Sequence, residues 1–188
     1  MMKKRKPNRL KGYDYSSDNL YYVTSCVHNR VCCFGEIVPD NDDNPHPKNM
    51  ILNEYGEIAE KQWYWLSEQY QYVVLHAFVV MPNHIHGIIE INRDIVGTGR
   101  DLSLRSKIKS LSELIGAYKT TVSKQIHLLD RRCRCRDRLR PVPTTTFQWQ
   151  RSFHEHIIRD EKSFRTISDY IITNPARWEQ DKFYNYEQ

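Results

Sequence analysis

The hydrophobic pattern changes period several times along the chain. Residues 20–27 (LYYVTSCV) are rich in β-branched and aromatic side chains and predict a strand. A short extended piece follows at Phe34–Val38, is ended by the turn-rich stretch PDNDDNPHP at 39–47, and resumes as a hairpin at Met50–Leu52. Asn53 has the side chain of an N-cap, and a helix is predicted over 54–69, where Ile58, Trp63, Trp65 and Leu66 interleave with Glu and Lys. The run QYVVLHAFVVM at 71–81 is the strongest strand; Pro82-Asn83 turns the chain, and His84–Ile91 runs back. Residues 92–106, with Gly97 and Gly99 among scattered charges, read as a loop. A second helix spans 107–129, because Leu111, Ile115, Tyr118, Val122, Ile126 and Leu129 recur at three- and four-residue steps. An arginine-rich, Pro-containing loop at 131–146 leads to a last strand at 148–159 and a helix at 160–173, stopped before Asn174-Pro175.

The central order β-α-β-β-α-β is the split pattern of a ferredoxin-like (RRM-like) α+β fold, an antiparallel sheet with helices packed on one face. No linker or internal repeat divides residues 1–188, so one domain is expected, with a basic N-terminal arm at 1–17 and a C-terminal helix and tail at 160–188. That sheet serves many unrelated functions, so chemistry has to be sought in particular side chains.

Composition narrows the classes. With 188 residues, 39% apolar and 27% charged, the chain can bury one core and is too apolar to be disordered. No run approaches the roughly 18 apolar residues of a membrane span. The basic start runs into Pro7-Asn8 rather than an apolar signal core. A cytoplasmic protein is expected. The five cysteines, arranged as C-C and C-x-C plus one, match no zinc-ribbon spacing and read as reduced thiols. Charge is concentrated: residues 3–11 carry +6 and 131–140 carry +5 in a chain of net charge +5, which leaves −6 for the rest. Two basic segments on a mildly acidic body point to a polyanion, most often nucleic acid.

His84-Ile85-His86 opens a predicted strand. Side chains two apart in a strand leave from one face, so both imidazoles can converge on one divalent ion while Ile85 points to the core. Two histidines at a strand end also occur without any metal. Tyr118 falls on the apolar stripe of the second helix, where a phenol is either a core aromatic or a nucleophile aimed at the histidines. His154-Glu155-His156 repeats the H-x-H spacing in the last strand, as a second ligand set or as packing and nucleic-acid contacts.

These residues converge on a family. The run FVVMPNHIHGII (Phe78–Ile89) resembles the HUH motif of single-tyrosine transposases, and LIGAYKTTVSKQI (Leu114–Ile126) resembles their tyrosine helix. WQRSFHEHIIRDE (Trp149–Glu161), YIITNPARW (Tyr170–Trp178) and the opening RLKGYDY (Arg9–Tyr15) are similar to the REP-associated tyrosine transposases. The resemblance covers nearly the whole chain. It implies an HUH-type endonuclease that binds single-stranded DNA folded into hairpins at repeat elements. Such an enzyme cleaves a phosphodiester through a 5′-phosphotyrosine link, releases a 3′-hydroxyl, and rejoins strands when a later 3′-hydroxyl attacks. By the same resemblance, His84 and His86 would hold Mg²⁺ or Mn²⁺, Tyr118 would be the nucleophile, and the chain would work at the nucleoid as a homodimer or a monomer. One departure stands out. Related insertion-sequence transposases place an amide one helical turn after the tyrosine as a third ligand, where this chain has Val122. Thr121 is near that turn, and Gln125 is two turns on, roughly 10 Å of rise away.

Arg131, Arg132, Arg134 and Arg136 would contact phosphates, and Trp149 and Arg151 would stack on or hold unpaired bases. The readings of another class are a non-catalytic (domesticated) hairpin-binding DNA or RNA module, and a hydrolase using two histidines and water. The sheet motifs of RNA-recognition domains carry an aromatic pair that is not evident here.

Overall fold

The computed structural model describes residues 9–39, 48–95, 108–136 and 147–184. Its elements are β1 (Asn19–Cys26), β2 (Gly35–Pro39), β3 (Lys48–Leu52), α1 (Glu54–Gln69), β4 (Val73–Met81), β5 (His84–Ile91), α2 (Leu111–Arg136), β6 (His154–Ile158) and α3 (Glu161–Thr173). Four strands pair antiparallel in the order β4-β5-β1-β6, the ferredoxin-like arrangement, while β2 and β3 form a separate hairpin.

Local chemistry explains the helix starts. The Asn53 side chain accepts from the N–H groups of Tyr55 and Gly56, and Asp160 accepts from that of Ser163, so both helices begin on a satisfied cap.

The strand alternation sorts side chains onto two faces. On one lie Tyr21 and Val23 of β1 with Ile85, Ile89 and Ile91 of β5. Ala59, Trp63 and Leu66 of α1 pack there, as do Leu111, Leu114, Ile115, Tyr118, Val122 and Ile126 of α2. Each fully buried aliphatic or aromatic side chain in this layer stabilises the fold by about 1.5–3 kcal/mol. The opposite face carries Leu20, Tyr22, Ile88 and Ile158, covered by Phe164, Ile167, Tyr170 and Ile171 of α3. The expected packing of helices on one face holds for α1 and α2, and α3 adds a cover to the second face over β4 and β5.

Three boundaries differ from the sequence reading. Helix α2 runs on to Arg136 instead of ending near 129, because nothing before Pro141 stops it and arginine is a good helix former. Arg131, Arg132, Arg134 and Arg136 therefore belong to a helix and not to a loop, and residues 137–146 of the expected loop lie outside the described residues. The last strand shortens to His154–Ile158, with Trp149 joined to Val27 by an isolated bridge. Here Lys119 Nζ donates to the carbonyls of Gln150 (2.8 Å) and Ser152 (3.1 Å), which draws that backbone away from the ladder. The expected arm at 1–17 is packed in its second half: Tyr13 and Tyr15 lie against the core, and Leu111 N–H donates to the Tyr15 carbonyl at 2.9 Å. Residues 1–8 and most of the expected loop at 92–106 (96–106) lie outside the described residues.

Candidate active site

His84 and His86 emerge from β5 on the α3 face, both fully buried. Their Nε2 atoms face each other at 2.9 Å. Each ring is oriented from behind. The Asn83 amide nitrogen donates to the carbonyls of Arg30 (3.1 Å) and Phe183 (2.9 Å), so its oxygen must face His84 Nδ1, 2.8 Å away, and accept that N–H. His86 Nδ1 has Tyr22 Oη at 2.8 Å and Thr24 Oγ1 at 2.9 Å; with Thr24 donating to Tyr22, the threonine oxygen can accept the ring N–H. In the tautomer where Thr24 accepts the ring N–H, both Nε2 atoms are lone-pair donors aimed at one point. Two such lone pairs repel at this distance unless a cation joins them.

Burial holds the pair neutral. Desolvation, reinforced by the Lys182 and Arg30 charges, lowers the His84 pKa to about 3, and desolvation with the neighbouring His84 pushes His86 well below its usual range. Neutral imidazole is the form that binds metal.

A third donor comes from an unexpected place. After α3 a short 3-10 segment, Pro175–Gln180, folds the tail back, and the Asp181 carboxylate reaches the histidines. One ligand atom from each of His84, His86 and Asp181 lies within 4.8 Å of the other two, a span one divalent ion can bridge. Imidazole nitrogens and a carboxylate oxygen suit Mn²⁺, and Mg²⁺ to the extent that oxygen ligands complete the shell. This carboxylate comes from a residue after α3 and not from α2, where the resemblance put a third ligand. Val122, Thr121 and Gln125 belong to α2, on the other side of the sheet.

The structure does not bring the expected nucleophile to the histidines. Tyr118 is buried on the α1–α2 face, where its hydroxyl donates to the Ala59 carbonyl at 3.1 Å and its ring packs on Trp63 and Trp149. The sheet separates it from the histidines. Its neighbour in β5 is the Ile85–Gly87 side, where Trp63 lies so close to Gly87 that a side chain there would overlap it. Burial without a charged partner raises the Tyr118 pKa.

Tyr170 of α3 occupies the position that Tyr118 does not. Its hydroxyl lies 3.4 Å from His86 Nε2 and donates to Asp181 Oδ2 at 3.2 Å. Its ring packs edge-on against His86 and Tyr22. Burial, and then the Asp181 charge, push its pKa up to about 12, so it is a neutral phenol in this arrangement. Tyr170 and Asp181 were missed by the sequence reading, although Tyr170 lies on an apolar stripe with Phe164, Ile167 and Ile171, as Tyr118 does on its own.

The remaining expected residues are distributed around this centre. His154 and His156 project from the same sheet face as the HUH pair, but Thr24 of β1 pairs with both His86 and His154. The two H-x-H motifs are thus two strand spacings apart, roughly 9–10 Å, too far to share an ion. Arg131 lines a groove of about 740 Å³ along α2 with Lys119, Lys124, His127 and Trp149. Trp149 itself is packed among Phe34, Phe147 and Tyr118 rather than standing free. Arg151 is exposed, and the side chains of Arg132, Arg134 and Arg136 lie outside the described residues. Among the described residues no helix is long and apolar enough to cross a membrane.

No family model matches the chain. An uncharacterised protein of Haemophilus influenzae is 35% identical over 192 residues, covering 96% of this chain and 93% of its own. A second protein of that organism, named "Putative REP-associated tyrosine transposase", is 24% identical over 164 residues, covering 87% and 74%. Among solved structures, that of a REP-associated tyrosine transposase bound to a REP hairpin superposes with a TM-score of 0.51 at 17% identity, over 97% of this chain and 77% of that one, and shares the fold. The chain is thus similar along most of its length to a protein named as a REP-associated tyrosine transposase, and it shares the fold of one.

Proposed function

We propose that the chain is a metal-dependent transposase that nicks and rejoins single-stranded DNA beside hairpin-forming repeats, with Tyr170 as its nucleophile. The observation that carries this reading is the Tyr170 hydroxyl, 3.4 Å from His86 Nε2 and 3.2 Å from the Asp181 carboxylate. A phenol against an imidazole and a carboxylate stands where a phosphorus atom bound beside those ligands can be attacked.

His84, His86 and Asp181 would hold Mn²⁺ or Mg²⁺. The ion would supply positive charge for the phosphate oxygens and favour the phenolate. Tyr170 gives up its proton towards Asp181, the acceptor already in contact, and its oxygen forms a bond to phosphorus as the bond to the 3′-oxygen breaks. That oxygen leaves as a 3′-hydroxyl after taking a proton. The reverse attack by another 3′-hydroxyl restores the phenol and joins strands, so no nucleotide is consumed. Asn83 and Thr24 keep the two rings in the ligating tautomer throughout.

The α2 groove, with Lys119, Lys124, His127 and Arg131, supports a path for the DNA backbone. The arginines that follow on the same helix would extend it. The binding of a REP hairpin by the fold relative motivates a hairpin as the partner here. The test is covalent: single-stranded DNA containing a hairpin is incubated with Mn²⁺, and a protein–DNA adduct is sought on a denaturing gel. An adduct lost in Tyr170→Phe carries the proposal, and cleavage without an adduct overturns it in favour of a water nucleophile.

A further inference from the structure

Tyr22 of β1 sits between the histidine pair and the helix that covers it. It lies on the α3 face of the sheet beside Thr24, which pairs with His86 across the β1–β5 ladder. Its ring stacks on His86 at 5.6 Å between centroids and meets Tyr170 edge-on at 6.4 Å. Its hydroxyl faces Thr24 Oγ1 at 3.1 Å, His86 Nδ1 at 2.8 Å and the hydroxyl of Tyr170.

A phenol has one proton to give, and these neighbours decide where it goes. Thr24 donates to Tyr22, so the threonine is no outlet. When His86 carries its proton on Nδ1, the form that leaves Nε2 open to a metal, that nitrogen cannot accept either. Tyr170 Oη is the acceptor that remains, and Tyr170 in turn donates to Asp181 Oδ2 at 3.2 Å. A directed chain results, from Thr24 to Tyr22, from Tyr22 to Tyr170 and from Tyr170 to Asp181. In the other tautomer of His86, Nδ1 takes the Tyr22 proton and the link to Tyr170 is broken. The tautomer that ligates is therefore the one that directs Tyr22 at Tyr170.

We propose that Tyr22 is a positioning residue, which donates a hydrogen bond to Tyr170 Oη and holds that oxygen for attack on phosphorus when His86 is in its metal-ligating tautomer. This rests on the transposase reading above and adds to it the group that orients the nucleophile. An oxygen that gives its proton to Asp181 and accepts from Tyr22 has a fixed orientation, with its remaining electron density turned to one side. Without Tyr22 the hydroxyl is free to swing from Asp181 to His86 Nε2, 3.4 Å away. Tyr22 keeps its own proton throughout, and its hydrogen bond strengthens as negative charge grows on the attacking oxygen.

The test uses the full chain and reads rate, metal affinity and the Tyr170 oxygen separately. Adduct formation with Mn²⁺ at saturating hairpin DNA slows about 10–100-fold in Tyr22→Phe, the effect of losing one hydrogen bond to a charged oxygen. The DNA concentration for half-maximal rate is unchanged. Mn²⁺ affinity is unchanged too, because Thr24 still accepts the His86 N–H. Tyr22→3-fluorotyrosine, a stronger donor of nearly the same shape, reacts at least as fast as the wild type, whereas a side chain that only filled space would not respond to donor strength. The last reading needs no catalysis: with Mg²⁺ bound, the ¹³C signal of Tyr170 Cζ, assigned by its loss in Tyr170→Phe, moves between wild type and Tyr22→Phe. A rate and a Tyr170 signal both unchanged in Tyr22→Phe would overturn the positioning role and leave the transposase reading in place. A rate that falls in step with Mn²⁺ affinity would overturn it as well, since Tyr22 would then act only through His86. A Tyr170 signal that moves in a chain that never forms an adduct would keep the hydrogen bond from Tyr22 to Tyr170 and overturn strand cleavage.

Discussion

The hydroxyl of Tyr170 lies 3.4 Å from Nε2 of His86, across an interface between α3 and β5 that is separate from the main core. Tyr118, on the other side of the same sheet, spends its hydroxyl on the Ala59 carbonyl. The two tyrosines make opposite predictions. Tyr170→Phe abolishes the covalent adduct and leaves the melting temperature nearly unchanged. Tyr118→Phe retains the adduct and costs about 0.5–1.5 kcal/mol of stability through the lost buried hydrogen bond. Denaturing gels and urea melts of both variants decide it, and an adduct that survives Tyr170→Phe but not Tyr118→Phe reverses the assignment.

Much of this was legible in the sequence, and the placement of Tyr118 relative to the histidines was a matter of parity. The strand and helix order, the Asn53 cap and the H-x-H pair follow from local pattern, and each recurs in the structure. The pattern also placed Ile85 toward the core and Tyr118 toward the core. Both statements hold, and together they put Tyr118 on the side away from His84 and His86, because neighbours in a strand point to opposite faces. A β-α-β-β-α-β unit sends both its helices to one face, so only an element outside the unit can reach the histidines. That element is α3. Asp181 was hidden for a different reason: it arrives beside the histidines through the fold-back of 175–180, and no periodicity announces where a loop residue lands. The shortened β6 was equally out of reach, since it depends on Lys119, thirty-odd residues earlier, capturing two carbonyls.

Metal affinity tests the ligand set and the residues behind it. Asp181→Asn removes the anionic donor and weakens Mn²⁺ binding, as do His84→Ala and His86→Ala. Asn83→Ala leaves all three ligands in place but frees the His84 ring, and outer-shell losses of this kind cost about 10–100-fold in affinity. Titration calorimetry or the Mn²⁺ spin-resonance signal reads each value. Unchanged affinity in Asp181→Asn would remove that carboxylate from the ligand set.

The groove along α2 is an electrostatic proposal and is tested by salt. Replacing Lys124 or Arg131 with Ala takes one cation from the lining of that groove. Each replacement weakens hairpin binding for all sequences alike and lowers the slope of log affinity against log salt by about 1. Wild-type slopes in both variants would exclude this face as the backbone path.

Close packing between α1 and β5 supports the whole site from beneath. Gly87 follows His86, and its hydrogen faces the Trp63 ring, which itself stacks on Phe78 at 4.5 Å. A methyl group at Gly87 would overlap Trp63, and the ring cannot retreat because Tyr118 abuts it edge-on at 5.5 Å between centroids. Gly87→Ala therefore destabilises the fold by about 1–3 kcal/mol, the usual range for overpacking. A urea midpoint equal to that of the wild type would mean that the Trp63 layer is looser than the ring contacts imply.

Lys119 gives the fold a pH dependence with a definite sign. Burial lowers its pKa from 10.5 to about 8, against two neutral carbonyl acceptors, and Cys26 offsets this only in part. Below pH 8 the lysine is charged in both folded and unfolded chains, and the desolvation penalty is fully present. Between about 8 and 10.5 the unfolded chain keeps the proton and the folded chain releases it, so unfolding takes up a proton and stability rises with pH. The buried thiols of Cys26 and Cys33, raised to about 11 and about 12, act in the opposite sense over nearly the same range. The lysine's share is thus read as a difference: urea melts of wild type and Lys119→Met at pH 7.5 and pH 10. The wild type gains stability relative to the variant as the pH is raised. A difference that stays constant between the two pH values would mean that Lys119 titrates as an exposed lysine does and that the bend at 150–152 is held without it.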